Sequence, residues 1–103
     1  MGQPDRNQYD YDEDQQLDLA EPGRWKVLLL NDDYSTMEFV IEVLVKVFKK
    51  TTEQATQIML DVHKNGKGIC GVYSYEIAEA KIATVSSMAK KQGYPLRAVM
   101  TEE

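Results

Sequence analysis

The sequence predicts one small α/β domain of the sandwich (α+β) type. A three-stranded antiparallel sheet packs against three helices in the order β-α-α-β-α-β, behind an acidic N-terminal extension. Three observations lead there. Three short apolar runs have strand character and are flanked on one side by Asn-Asp, Gly or Pro signals. Three longer segments repeat apolar residues at helical spacing behind Ser or Thr caps. A chain of 103 residues has room for a single core.

The charge divides the chain. Residues 1–23 hold seven acids against Arg6, whereas the rest holds ten acids and eleven bases. The first segment carries only scattered apolar side chains (Tyr9, Tyr11, Leu17 and Leu19) and cannot offset the entropy of ordering. It is expected to be a disordered extension, with Pro22-Gly23 marking the boundary to a domain over residues 24–103.

Within the domain, Trp25 to Leu30 (WKVLLL) reads as a strand buried on both faces. Asn31 to Ser35 is a turn cluster, and Ser35 with Glu38 makes an S-x-x-E capping box that opens the first helix. Its inward stripe is Met37, Val40, Ile41, Leu44, Val45 and Phe48, and Lys49-Lys50 suits the negative end of its dipole. Thr51 and Gln54 form a second capping box. Ala55, Ile58, Met59 and Val62 follow on one face, and Asn65-Gly66 stops the helix. Gly68 to Tyr73 reads as a strand whose glycines permit a bulge or close backbone approach. Ser74 caps a third helix with Ile77, the Lys81 stem, Ile82, Val85, Met88 and Ala89 turned inward, ending at Gly93. Leu96 to Met100 is the last strand.

Composition excludes several functions. No basic stripe exists to neutralise phosphates, so nucleic acid is not an expected partner. No apolar run approaches the roughly 20 residues of a membrane helix. The polar, acidic start is neither a signal nor a transit peptide. Cys70, the single cysteine, allows neither an internal disulfide nor a multi-cysteine zinc site. It suits a cytoplasmic location and reads as a small core residue. No metal or cofactor is expected, and a monomer is the default state.

The residues able to carry chemistry are Asn31, Asp32, Asp33 and His63. As a metal or acid–base site they are poorly arranged, because adjacent turn residues point apart and no second histidine or nucleophile motif accompanies them. No phosphate-binding glycine loop is present. Taken singly, Asn-Asp-Asp is a helix-capping turn and His63 a structural histidine. Together they suggest more. Asn31, Asp32 and Ser35 lie at the start of the first helix, while Met59, Val62 and His63 share one face of the second. If those elements are neighbours, acceptors rim an apolar, methionine-lined hollow suited to the first residue of a polypeptide. Its charged α-amino group has three donors to satisfy.

Several stretches in order then resemble the bacterial ClpS adaptor family: Val27 to Val40 (VLLLNDDYSTMEFV), Ala55 to Gly71 (ATQIMLDVHKNGKGICG), the Glu76-x-x-Glu79-x-Lys81 pattern and Pro95-Leu96. The resemblance spans residues of about 24–102. It implies a non-enzymatic adaptor with a fold like the C-terminal domain of ribosomal protein L7/L12. Such an adaptor binds proteins beginning with Leu, Phe, Tyr or Trp and delivers them to the AAA+ unfoldase ClpA (or a ClpC-like relative), which feeds ClpP. By position, Asn31, Asp32 and His63 would hold the α-amino group. Ser35, Met37, Val40, Met59, Val62 and Leu96 would line the side-chain pocket, with Met37 the gatekeeper against β-branched residues. Glu76 and Lys81 would meet the unfoldase, although by themselves they read as a solvated helix face. The family's N-terminal extension serves delivery. Where the family often has Thr-Pro, this chain has Ser35-Thr36, which implies a looser loop.

The competing readings are a binder of internal peptide segments with no need of a free amine, a small hydrolase using Asp32, Asp33 and His63, and a ClpS-like module of a larger ubiquitin ligase. The initiating methionine and acidic extension point to a free-standing protein.

Overall fold

A computed structural model describes residues 23–103; the expectations for the acidic extension fall on residues outside these, apart from Gly23. The order is β1 (Trp25–Leu30), α1 (Met37–Lys46), α2 (Thr52–Asn65), β2 (Lys67–Tyr73), α3 (Tyr75–Gln92) and β3 (Arg97–Glu102). The sheet is antiparallel in the order β2-β1-β3, so the first strand is central. This is the predicted architecture, with β3 beginning one residue later than expected and running two residues further.

β1 departs from its reading as a strand buried on both faces. Val27 and Leu29 are sealed, whereas Lys26, Leu28 and Leu30 are only half-buried. Strand side chains alternate between faces, and the three helices cover one face only. The core lies between that face and the helices, where Val27, Leu29, Val43, Leu44, Val85 and Cys70 are fully buried.

Local sequence sets the helix ends. Thr51 and Gln54 exchange both capping-box hydrogen bonds, at 3.1 and 3.0 Å. Gly66 ends α2 and Gly93 ends α3 in the left-handed region, at φ 89° and 78°. α1 is shorter than its apolar pattern: it stops at Lys46, and Lys49 takes a left-handed φ of 58° beyond it. The inward faces hold most of the residues read for them, with departures at their edges. Phe39 and Val43 are buried in α1 while Met37 is exposed, and Ala78 is buried in α3 while Ile77 is exposed. In both helices an apolar residue beside the stripe matches its spacing but lies outside the core.

Two irregularities in β2 shape what lies above it. The register with β1 shifts between Val27 and Leu28, leaving Cys70 as the extra residue of a bulge. A Cβ on Gly68 would stand 2.8 Å from Val62 Cγ2 and 3.1 Å from the Ile58 carbonyl oxygen, so only glycine lets α2 seat this closely. Among the described residues no helix is long and apolar enough to cross a membrane.

Two predictions follow from the packing. Gly68→Ala should destabilise the domain by about 1–3 kcal/mol through overpacking, read as a lower urea midpoint. Cys70 should resist alkylation until the domain unfolds. Burial pushes its thiol up to about 12, against a backbone hydrogen bond from Leu29 and the charge of Lys50, which both favour the thiolate. Mass spectrometry after iodoacetamide with and without denaturant reads this directly, and rapid native labelling would contradict it.

Candidate functional site

β1 delivers the chain into the turn at Asn31. The Asn31 N–H donates to the Gly66 carbonyl at 2.9 Å, which ties the turn to the C-terminal end of α2. The turn and the helix end carrying Val62 and His63 are therefore neighbours, as the hollow expected from the sequence requires.

Asp32 organises the turn. Its Oδ1 accepts from the Tyr34 and Ser35 N–H groups, each at 2.7 Å. Burial alone raises its carboxyl pKa, but the backbone N–H donations from Ser35 and Tyr34 outweigh that and hold it below the ordinary value. The Ser35 hydroxyl also favours the charged form from nearby, although no partner meets hydrogen-bonding geometry with it. Asp32 is thus a carboxylate at neutral pH. Its second oxygen, Oδ2, is buried without a partner, as is Ser35 Oγ.

The helix cap differs from the sequence reading. Thr36, not Ser35, caps α1, its Oγ1 accepting from Phe39 N at 3.1 Å. The Ser35–Glu38 box needs a free Ser35 N–H for the glutamate, and Asp32 already holds that group. Both residues can cap a helix, so only the prior claim of Asp32 decides between them.

The apolar residues assigned to the pocket divide in two. Val40, Met59, Val62 and Leu96 belong to the core cluster and expose between 3% and 7% of their surface. Met37, the first residue of α1, is 56% exposed. Asn31 and His63 are exposed beside this group, and Ser35 is half-buried. Among the described residues no side-chain hydrogen bond links Asn31, Asp32 and His63 to one another. Asp33 and Tyr34 face solvent, and among the described residues no cluster of His, Cys, Asp and Glu forms a potential metal site.

Glu76 and Lys81 lie elsewhere. With Val47, Ile77, Thr84 and Met88 they line an open groove of about 490 Å³ between the end of α1 and α3. Glu76 is exposed, but Lys81 is half-buried and already engaged. Its Nζ donates to the Val47 carbonyl at 2.8 Å and lies 5.8 and 5.3 Å from the ring centroids of Phe48 and Tyr73. Sequence reasoning missed this bond, which spans 34 residues and has no local signal.

Comparison with known proteins sets this geometry in a family. The family model of the ATP-dependent Clp protease adaptor protein ClpS matches residues 20–99. The chain belongs to the ClpS family. Similar relatives include the ClpS adapter proteins of Acetivibrio thermocellus, 56% identical over 84% of this chain and 88% of that protein, and of Nitratidesulfovibrio vulgaris, 56% identical over 92% and 90%. Among solved structures, Agrobacterium tumefaciens ClpS2 bound to L-phenylalaninamide aligns with a TM-score of 0.77 at 35% identity, covering 80% of this chain and 99% of that one. ClpS proteins are adaptors of the Clp protease, not enzymes. The hydrolase reading is therefore set aside, and the predicted β-α-α-β-α-β fold is the family's own.

The turn yields one prediction. Thr36→Ala should cost about 1 kcal/mol of stability through loss of the cap, whereas Ser35→Ala should cost less, because its hydroxyl closes no hydrogen bond and only favours the Asp32 carboxylate from nearby. Urea midpoints of the two variants give the comparison, and the reverse order would make Ser35 the cap.

Proposed function

We propose that this ClpS protein binds the N-terminal residue of client proteins, choosing bulky unbranched side chains (Leu, Phe, Tyr and Trp), and hands the clients to a Clp unfoldase, ClpA or a ClpC-like relative, in the cytoplasm. The observation that carries the proposal is the unpartnered, buried Oδ2 of an ionised Asp32 on a turn bonded to the end of α2. A lone pair buried without a donor costs stability unless something supplies one. An α-ammonium group brings three donors and the matching charge.

On this reading, Asn31 Oδ1, the Asp32 carboxylate and an imidazole nitrogen of His63 share those donors. Ser35, Met37, Val40, Met59, Val62 and Leu96 take the side chain. Because four of these are nearly sealed, their tips form a floor and Met37 supplies the movable wall. Extra bulk at Cβ would strike Met37, which disfavours Ile and Val. The chemistry of the ligand in the Agrobacterium structure agrees: phenylalaninamide pairs a free α-amine with a benzyl group and an amide, as the first residue of a peptide does. Glu76 and Lys81 form the unfoldase contact, with the hold of Lys81 on Val47 fixing the rim of that groove. The cytoplasmic assignment rests on the Clp partnership and the single buried thiol.

Fluorescence anisotropy with peptides beginning in Phe, Leu, Trp, Tyr, Ile or Val, plus acetylated Phe, tests the site. The four bulky unbranched peptides should bind, and Ile, Val and the acetylated peptide should not. Asp32→Ala should weaken all binders by about tenfold or more. Affinity for Phe peptides should fall above about pH 8, as the α-amine loses its proton while Asp32 stays charged. Equal binding of the acetylated peptide would replace the proposal with an internal-segment binder.

A further inference from the structure

The sheet face turned away from the helices has no role in the site above. In the register of the three strands, Ile69, Leu28 and Val99 form an apolar row across its middle, and Ile69 is 50% exposed. Lys67 and Arg97 flank Leu30 on one side of this row, and Lys26 lies on the other. No sheet position on this face is acidic. Among the described residues none of the three cations has an ion-pair partner. A groove of about 470 Å³ runs along the face, with Asp61 of α2 the one carboxylate at its edge.

From charge, pattern and reach, we infer that the chain's own N-terminal segment, residues 1–22, docks on this open sheet face. The segment carries a net charge of −6, and its apolar residues alternate with acids in Tyr9-Asp10-Tyr11-Asp12 and Leu17-Asp18-Leu19. Apolar side chains of the segment cover the middle row while carboxylates meet Lys26, Lys67 and Arg97. The connection is short. The described chain begins at Gly23, two residues before the central strand and at the Lys26 end of the face. Leu17 and Leu19 are six and four residues from Gly23, a reach of roughly 13–20 Å that spans most of β1. Reversal at Pro22-Gly23 is all the path requires. The consequence is a salt-sensitive, self-masking contact that withholds the segment from other partners until it is displaced.

The test uses the full chain. Gln15→Cys supplies a spin-labelling site, since Cys70 is buried and inert. Amide NMR should show loss of signal concentrated on Leu28, Ile69 and Val99. The signal should recover at about 1 M salt, where the screening length shrinks to about 3 Å. Recovery should also follow the triple change Lys26→Glu, Lys67→Glu, Arg97→Glu. Should that variant not fold, neutralising the segment with Asp10→Asn, Asp12→Asn, Glu13→Gln and Asp14→Asn must give the same recovery. Three results would overturn the inference: signal loss centred on the groove around Ile77 and Met88, loss spread evenly over the domain, or loss transferred to an unlabelled copy in a mixed sample. The last would mean that the segment docks on a second chain.

Discussion

The close seating of α2 on β2 at Gly68 governs the geometry of everything at this end of the molecule. The helix can approach only because that strand position has no Cβ, and its end is then brought to the Asn31 N–H through the Gly66 carbonyl. Met59, Val62 and His63 share one helical face, so a single packing distance sets both the apolar floor and the position of the imidazole. A helix lifted by even part of an ångström would carry His63 away from the turn. Gly68 therefore touches no ligand in the proposed site, yet it places His63, which on that proposal does.

On the other side of the site, one carboxylate is asked to do two things. Asp32 Oδ1 closes the turn by holding two backbone N–H groups, which also keeps the group ionised despite its burial. Oδ2 is left with no structural duty. On the proposed function the acceptor is held and charged before a ligand arrives, so binding need not supply its ordering cost. With Ser35 N–H held by Asp32 and Phe39 N–H held by Thr36, the segment from Asp32 to Phe39 is pinned without the proline that the family often places there.

Much of this was legible in the sequence because local chemistry specified it. Thr51 with Gln54, and Gly66 and Gly93 at helix ends, act within one turn of chain and did what their residue types require. The candidate site was legible as a set of residue types, and its assembly rests on one long-range backbone bond, from Asn31 to Gly66, that no pattern announces. What could not be read were outcomes of competition. Ser35 and Thr36 are equivalent as caps until Asp32 takes the Ser35 N–H. Met37 and Ile77 fit the spacing of an apolar stripe, yet each lies in the first turn of its helix, at the edge of that stripe, and is exposed. WKVLLL looks doubly buried because composition cannot reveal that no layer of helices covers its second face. Lys81 reads as a surface charge because its partner, the Val47 carbonyl, is distant in sequence.

The single tryptophan gives the molecule a built-in optical asymmetry. Trp25 opens β1 and meets Tyr75, the first residue of α3, edge to face at 5.2 Å between ring centroids. Asn31 follows the far end of the same strand, roughly 20 Å away at about 3.3 Å per residue. Intrinsic emission consequently reports on the junction with the N-terminal segment and the start of α3. It is nearly blind to events at the Asn31 turn. One straight strand thus keeps two ends of the protein spectroscopically separate, so that a change in emission and a change in peptide anisotropy are signals from different places.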